Sequence, residues 1–110
     1  VGLNVNQTKF TSDAPNPVSL KQITGKTYDI DQLMKDLFEA VKAVLNEPEE
    51  RIWSEYKDHL YRREGWYAYE DQNGRFEARI IDVLPTGEIV LQDKQGNKRI
   101  YHFKQIRYVL

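Results

Sequence analysis

A chain of 110 residues with no cysteine and a net charge of −1 has room for one domain or two small units. The lack of cysteine excludes a disulfide frame, a thiolate nucleophile and a cysteine-based zinc site, and the near-neutral charge argues against a general nucleic-acid binder. No apolar run approaches the roughly 18 residues that a membrane span needs. Thirteen aromatic residues supply much of the material for a core, and a fold of this size hides roughly two-thirds of the surface of its unfolded chain.

Residues 1–6 alternate Val1, Leu3 and Val5 with Gly2, Asn4 and Asn6, the period-2 pattern of a strand. Nothing resembling a leader precedes Val1, so this strand reads as cut from a larger sheet. The amides of Asn4 and Asn6 either face water or hold a polar ligand, since an amide both donates and accepts. Residues 7–25 read as a connector, with turn chemistry at Asp13-Ala14-Pro15-Asn16-Pro17. One short helical turn is expected between a Ser19 cap and a Gly25 stop.

A long helix follows. Asp29 is its N-cap, and Gln32 completes a capping-box pattern. Ile30, Leu33, Met34, Leu37, Phe38, Val41, Val44 and Leu45 recur at helical spacing. Core packing is the expected role of Met34 and Phe38, ahead of a ligand pocket. A second helix is expected to start at an Asn46 cap with Pro48 in its first turn. It carries Ile52, Trp53, Tyr56 and Leu60 as its stripe and ends through Arg62 and Arg63 at Gly65. Its tight link to the first helix predicts an antiparallel hairpin.

From Trp66 the period changes to two. Strands are predicted over 66–70, 75–84, 88–92, 98–103 and 107–110, with the Asn73-Gly74 hairpin signal after the first. Phe76, Ala78 and Ile80 share one face. Short strands with tight turns predict a small closed barrel of the SH3-like type. The fold class is therefore α+β, and two parts meet at 64/65.

Charge is uneven. Residues 29–71 carry 12 acids and 6 bases, a net of −6. Residues 94–110 carry Lys94, Lys98, Arg99, Lys104 and Arg107 and no acid. These cations either guard a sheet edge or dock an acidic partner or a phosphate. His59 and His102 lie on different elements, with no carboxylates at ligand spacing around them. No nucleophile elbow and no Gly-rich phosphate loop occurs. Residue chemistry alone nominates no catalytic centre.

The ordered runs of the chain resemble a known family. They are Gly2-Leu3-Asn4-Val5-Asn6, Asn16-Pro17-Val18-Ser19-Leu20, Ile23-Thr24-Gly25, Tyr28-Asp29-Ile30-Asp31-Gln32-Leu33 and Leu60-Tyr61-Arg62-Arg63, followed by the runs over 74–93 and 99–110. The set covers essentially the whole chain and resembles the C-terminal third of bacterial biotin–protein ligases. The resemblance implies that residues 1–64, a strand and a helical hairpin, end a catalytic domain, and that residues 65–110 form an SH3-like barrel. It implies a cytoplasmic enzyme that makes biotinyl-5′-adenylate from biotin and Mg-ATP. That enzyme then biotinylates a lysine of the biotin carboxyl carrier domain of acetyl-CoA carboxylase. Gly2 matches a glycine beside biotin, and Asn4 matches an asparagine near adenine. Lys98, Arg99, Lys104 and Arg107 are then candidates for carrier docking or phosphate contact. Where the family often has Glu-Ile, this chain has Gln105-Ile106.

The family's Gly-Arg-rich loop and its biotin-contacting lysine are not among these residues. The chain alone is therefore expected to be inactive and to hold no biotin or ATP. It is expected to self-associate through the apolar strand, or through the helix face around Leu33, Leu37 and Val41. The rival expectation is a stand-alone SH3-like module that binds protein or RNA.

Overall fold

The computed structural model describes residues 1–110. They form two compact units, Val1–Glu47 and Pro48–Leu110. The division falls between the two longer helices.

In the first unit, residues 1–6 join no sheet. A strand needs a neighbour for its backbone groups, and here a helix takes two of them. Leu20 N–H donates to Asn4 C=O at 3.0 Å and Lys21 N–H to Val5 C=O at 2.9 Å. These are orphan donors of the first turn of α1 (Leu20–Thr24). Ser19 and Gln22 form the capping box of α1, and Gly25 closes it at φ 74°, in the left-handed region that favours glycine. The expected helical turn is thus present.

α2 (Ile30–Leu45) starts at Asp29, whose side chain accepts from Gln32 N–H. The Gln32 amide does not return to the cap; it donates to Asp36 at 2.9 Å. None of the residues of α2 is buried. Met34, Leu37, Phe38, Val41, Val44 and Leu45 stay exposed, Phe38 at 68% and Leu45 at 74%. The core role expected of Met34 and Phe38 is not realised, because the rest of the unit is short and offers no apolar layer to cover a stripe this wide.

The second unit opens with α3 (Glu49–Asp58). Its N-cap is Pro48, while Asn46 caps the C-terminus of α2 instead. α3 stops at His59, well before Gly65. The chain then turns, and Arg62 takes φ 59°, which a helix cannot accommodate.

Five strands follow: β1 (Tyr67–Asp71), β2 (Gly74–Val83), β3 (Ile89–Asp93), β4 (Lys98–Tyr101) and β5 (Arg107–Tyr108). All pairings are antiparallel, and the order is β4-β3-β2-β1-β5. The fold is α+β, as expected. The sheet is open: β4 and β5 are its edges, and no ladder joins them into a closed barrel. A register shift between Ile80 and Asp82 marks a bulge in β2.

The core is small. Tyr69, Ala78 and Leu91 are fully buried, with Phe76, Ile80, Ile89, Tyr101 and Ile106 packed around them. Ala78 occupies the middle of β2, in one buried cluster with Tyr69 and Leu91. With so few buried side chains, each one matters. Leu91→Ala is expected to cost about 2–5 kcal/mol of unfolding free energy. Leu45→Ala, at an exposed site, is expected to change stability by less than about 0.5 kcal/mol. Urea unfolding of both variants checks the contrast, and equal effects would refute it.

Candidate functional site

The second unit holds a polar concavity of about 830 Å³. One wall is the β1–β2 hairpin, with Glu70, Asp71 and Asn73. The other is β4 and the segment leading into β5, with Arg99, Tyr101, Lys104 and Arg107. The hairpin turn and the β4–β5 connection bring together two stretches that are well separated in the unit's sequence.

A hydrogen-bonded network fixes the interior. Asp93 is 4% exposed, and its Oδ1 accepts from the backbone N–H groups of Gln95 at 3.0 Å and Asn97 at 2.9 Å. Arg99 donates Nε and Nη2 to Asp93 Oδ2 at 3.1 and 3.0 Å. It also stacks over Phe76 at 4.3 Å. Its Nη1 lies 3.7 Å from Asp71 Oδ2, which accepts from the Tyr101 hydroxyl at 2.6 Å. The Tyr101 hydroxyl, and after it the Asn73 N–H, hold the Asp71 carboxyl below the usual carboxylate range. Burial pushes the Asp93 carboxyl up, but the bonds from Asn97, Arg99 and Gln95 together outweigh it and leave Asp93 low. Burial, reinforced by the Asp71 bond, pushes the Tyr101 hydroxyl up.

Three of the four candidate cations therefore meet at one concavity, in different states. Arg99 is committed to Asp93 and Asp71. Arg107 Nη1 lies 3.8 Å from Glu70 Oε2. Lys104 has no carboxylate partner; its ammonium sits 5.6 Å from the Phe103 ring, on a backbone at φ 69°. Lys98 is exposed on edge strand β4 and does not line the concavity. Gln105 caps the local turn, accepting from His102 N–H at 2.7 Å.

In the first unit Gly2 is exposed, with open space where a Cβ would stand. The Asn4 amide donates to Val18 C=O at 3.3 Å on the surface. Asn6 is a structural clamp: its amide bonds both the C=O and the N–H of Tyr28 at 2.8 Å. His59 lies 3.8 Å from Glu55 and His102 3.6 Å from Glu88. No group of three metal-ligating side chains converges. The arrangement offers charge, hydrogen-bond donors and shape, with no paired nucleophile and base.

Sequence reasoning missed Arg62, which holds the far wall in place. Its guanidinium donates to Ala68 C=O at 3.0 Å and to Val109 C=O at 2.6 Å. The rings of Tyr67, Tyr61, Tyr69 and Tyr108 surround it at 4.8 to 5.6 Å. No local pattern signals a partner 47 residues away. The Asp93 turn was more legible, since Asp followed by Gly96 three residues on is turn chemistry.

Two outcomes follow from these contacts. β5 is held by two ladder pairs and by Arg62. Arg62→Met is therefore expected to destabilise the second unit by roughly 2–4 kcal/mol, since bonds to a charged donor are the stronger kind. Hydrogen exchange should quicken at residues 107–110 while β2 and β3 keep their protection; uniform loss would show that Arg62 does not act through β5. The carboxyls of Asp71, Glu88 and Asp93 are lowered in the fold. Their contribution is thus fully present above the ordinary carboxylate values near about 4 and is lost as pH falls through the lowered ones. Asp93→Asn is expected to flatten that acid-side loss, measured as urea midpoints between about pH 6 and about pH 3.

Comparison with protein-family models, curated proteins and solved structures gives no match.

Proposed function

We propose that this chain is the C-terminal part of a biotin–protein ligase. Such an enzyme activates biotin with Mg-ATP as biotinyl-5′-adenylate and passes it to a lysine of a biotin carboxyl carrier domain. The observation that carries the reading is the order of residue runs along the whole chain, from Gly2-Leu3-Asn4-Val5-Asn6 to the run over 99–110.

Two structural features support it. The strand order β4-β3-β2-β1-β5, a meander whose last strand returns beside the first, is the order a small SH3-like unit uses. In the first unit, an apolar extended segment without a sheet partner and a helix with a bare apolar face both suit a larger sheet. On this reading α2 and α3 end the catalytic domain, and residues 1–6 lie beside the adenylate. Gly2 and Asn4 are then the residues that would stand beside biotin and near adenine, the Asn4 amide supplying both a donor and an acceptor. Lys104 and Arg107 meet the acidic carrier domain or the ATP phosphates, and mainly raise the rate of encounter.

On this reading the Gly-Arg-rich loop and the lysine that would stabilise charge developing on the transferring nucleotide are not among these residues. The chain is therefore expected to release no pyrophosphate from ATP in the presence of biotin, whereas the complete gene product does. In that product Asn4→Ala is expected to raise the KM for ATP more than the KM for biotin. The loss corresponds to about 1–3 kcal/mol for an unpaired polar group. Steady-state kinetics of pyrophosphate release decide. A complete product that biotinylates no carrier domain sinks the proposal, and equal KM changes return Asn4 to a surface role.

A further inference from the structure

We infer that Asn73 is a site of spontaneous deamidation, at which the folded chain converts one side-chain amide to a carboxylate on the rim of the polar concavity. The inference does not rest on the ligase reading. The chain has six asparagines, at 4, 6, 16, 46, 73 and 97, and only Asn73 is followed by glycine. It lies in the two-residue turn between β1 and β2 and is exposed.

The reaction needs a free side-chain carbonyl carbon, an attacking backbone nitrogen in the next residue, and room for a five-membered ring. Asn73 offers all three. Its side-chain amide makes no hydrogen bond, while its backbone N–H is fixed to Asp71 Oδ1 at 2.8 Å. Gly74 has no side chain to crowd its nitrogen, and nothing lies within 4 Å of where a Cβ would stand. The Asp71 carboxylate accepts from the N–H groups of both Asn73 and Gly74 and so holds the attacking nitrogen in the turn.

The other asparagines lack these conditions. The amides of Asn4, Asn6 and Asn97 are engaged by Val18, Tyr28 and Asp93. Asn16 precedes Pro17, whose nitrogen carries no proton to lose. Asn46 precedes Glu47, whose side chain crowds the approach.

In the reaction a bond forms between Gly74 N and Asn73 Cγ, and the Cγ–Nδ2 bond breaks. Ammonia leaves with the Gly74 amide proton. Water then opens the ring at either carbonyl, giving aspartate or isoaspartate, so the net change is water consumed and ammonia released. Asn73 lines the concavity together with the acids Glu70 and Asp71 and the bases Arg99, Lys104 and Arg107. A third acid cancels the single positive charge of that lining. The isoaspartyl form also adds a methylene to the main chain of a two-residue turn, whose length sets the hairpin register.

The test incubates the intact folded chain in mildly alkaline buffer and maps it with trypsin, which isolates residues 64–75. The acid form and isoaspartate are expected to accumulate at Asn73 about tenfold or more faster than at any other asparagine, a gap of about 1.4 kcal/mol in barrier. Isoaspartyl methyltransferase should label the same peptide, and Asn73→Gln, at this exposed site, should abolish the labelling. A synthetic peptide of residues 64–75 provides the reference. If that peptide converts while the folded chain does not, or if another asparagine converts first, the inference is overturned.

Discussion

A guanidinium with no carboxylate partner organises the second unit. Arg62 sits among four tyrosine rings and spends its donors on two backbone carbonyls, Ala68 within β1 and Val109 after β5. A planar fork suits this role because it donates in plane and offers its faces to aromatic rings. An ammonium at the same place has neither geometry. Reaching the position requires the chain to leave α3 early and to hold Arg62 at positive φ, a strain of order 1–3 kcal/mol that persists because the surroundings fix it. The Nε of Arg62 and the hydroxyl of Tyr69 are buried without partners, a further cost of the same packing.

That clamp matters to the concavity because β5 is only two residues long. The wall bearing Lys104 and Arg107 is otherwise tied down by the β1 pairing, the Val109 N–H bond to Ala68 C=O, the packing of Ile106 on the core and the Arg107–Glu70 pair. Within the concavity, electrostatics divides the cations by task. Arg99 is consumed by Asp93 and Asp71 and acts as a strut. Arg107 shares its charge with Glu70. Lys104 keeps its ammonium free of any carboxylate, on a strained backbone beside the 88% exposed ring of Phe103. The concavity thus carries one cation without a carboxylate partner, next in sequence to an exposed aromatic ring.

The first unit has the opposite character. Its local hydrogen bonding is well marked: caps on α1 and α2, a glycine stop and the Asn6–Tyr28 clamp. Its apolar surface is left exposed. α2 forms because Asp29 caps it and its residues favour helix, and it remains a helix although it buries none of them. Local signals are thus enough to define its ends, while its stripe still needs a tertiary layer.

The residues alone determined what depends on neighbours in sequence. The caps at Ser19 and Asp29, the Asn73-Gly74 turn and all five strands to within about two residues are local hydrogen-bonding and periodicity effects. So was the clustering of basic residues near the C-terminus. Tertiary structure decided what depends on partners far along the chain. Residues 1–6 have strand periodicity, but a ladder needs a neighbour, and their carbonyls meet α1 instead. The 60–65 segment has helical spacing, yet Arg62 gains more from Val109 and the tyrosines than from another helical turn. Arg99 and Lys104 look alike as letters; only the fold, by burying Asp93 under one and leaving the other bare, makes the first a strut and the second a free charge.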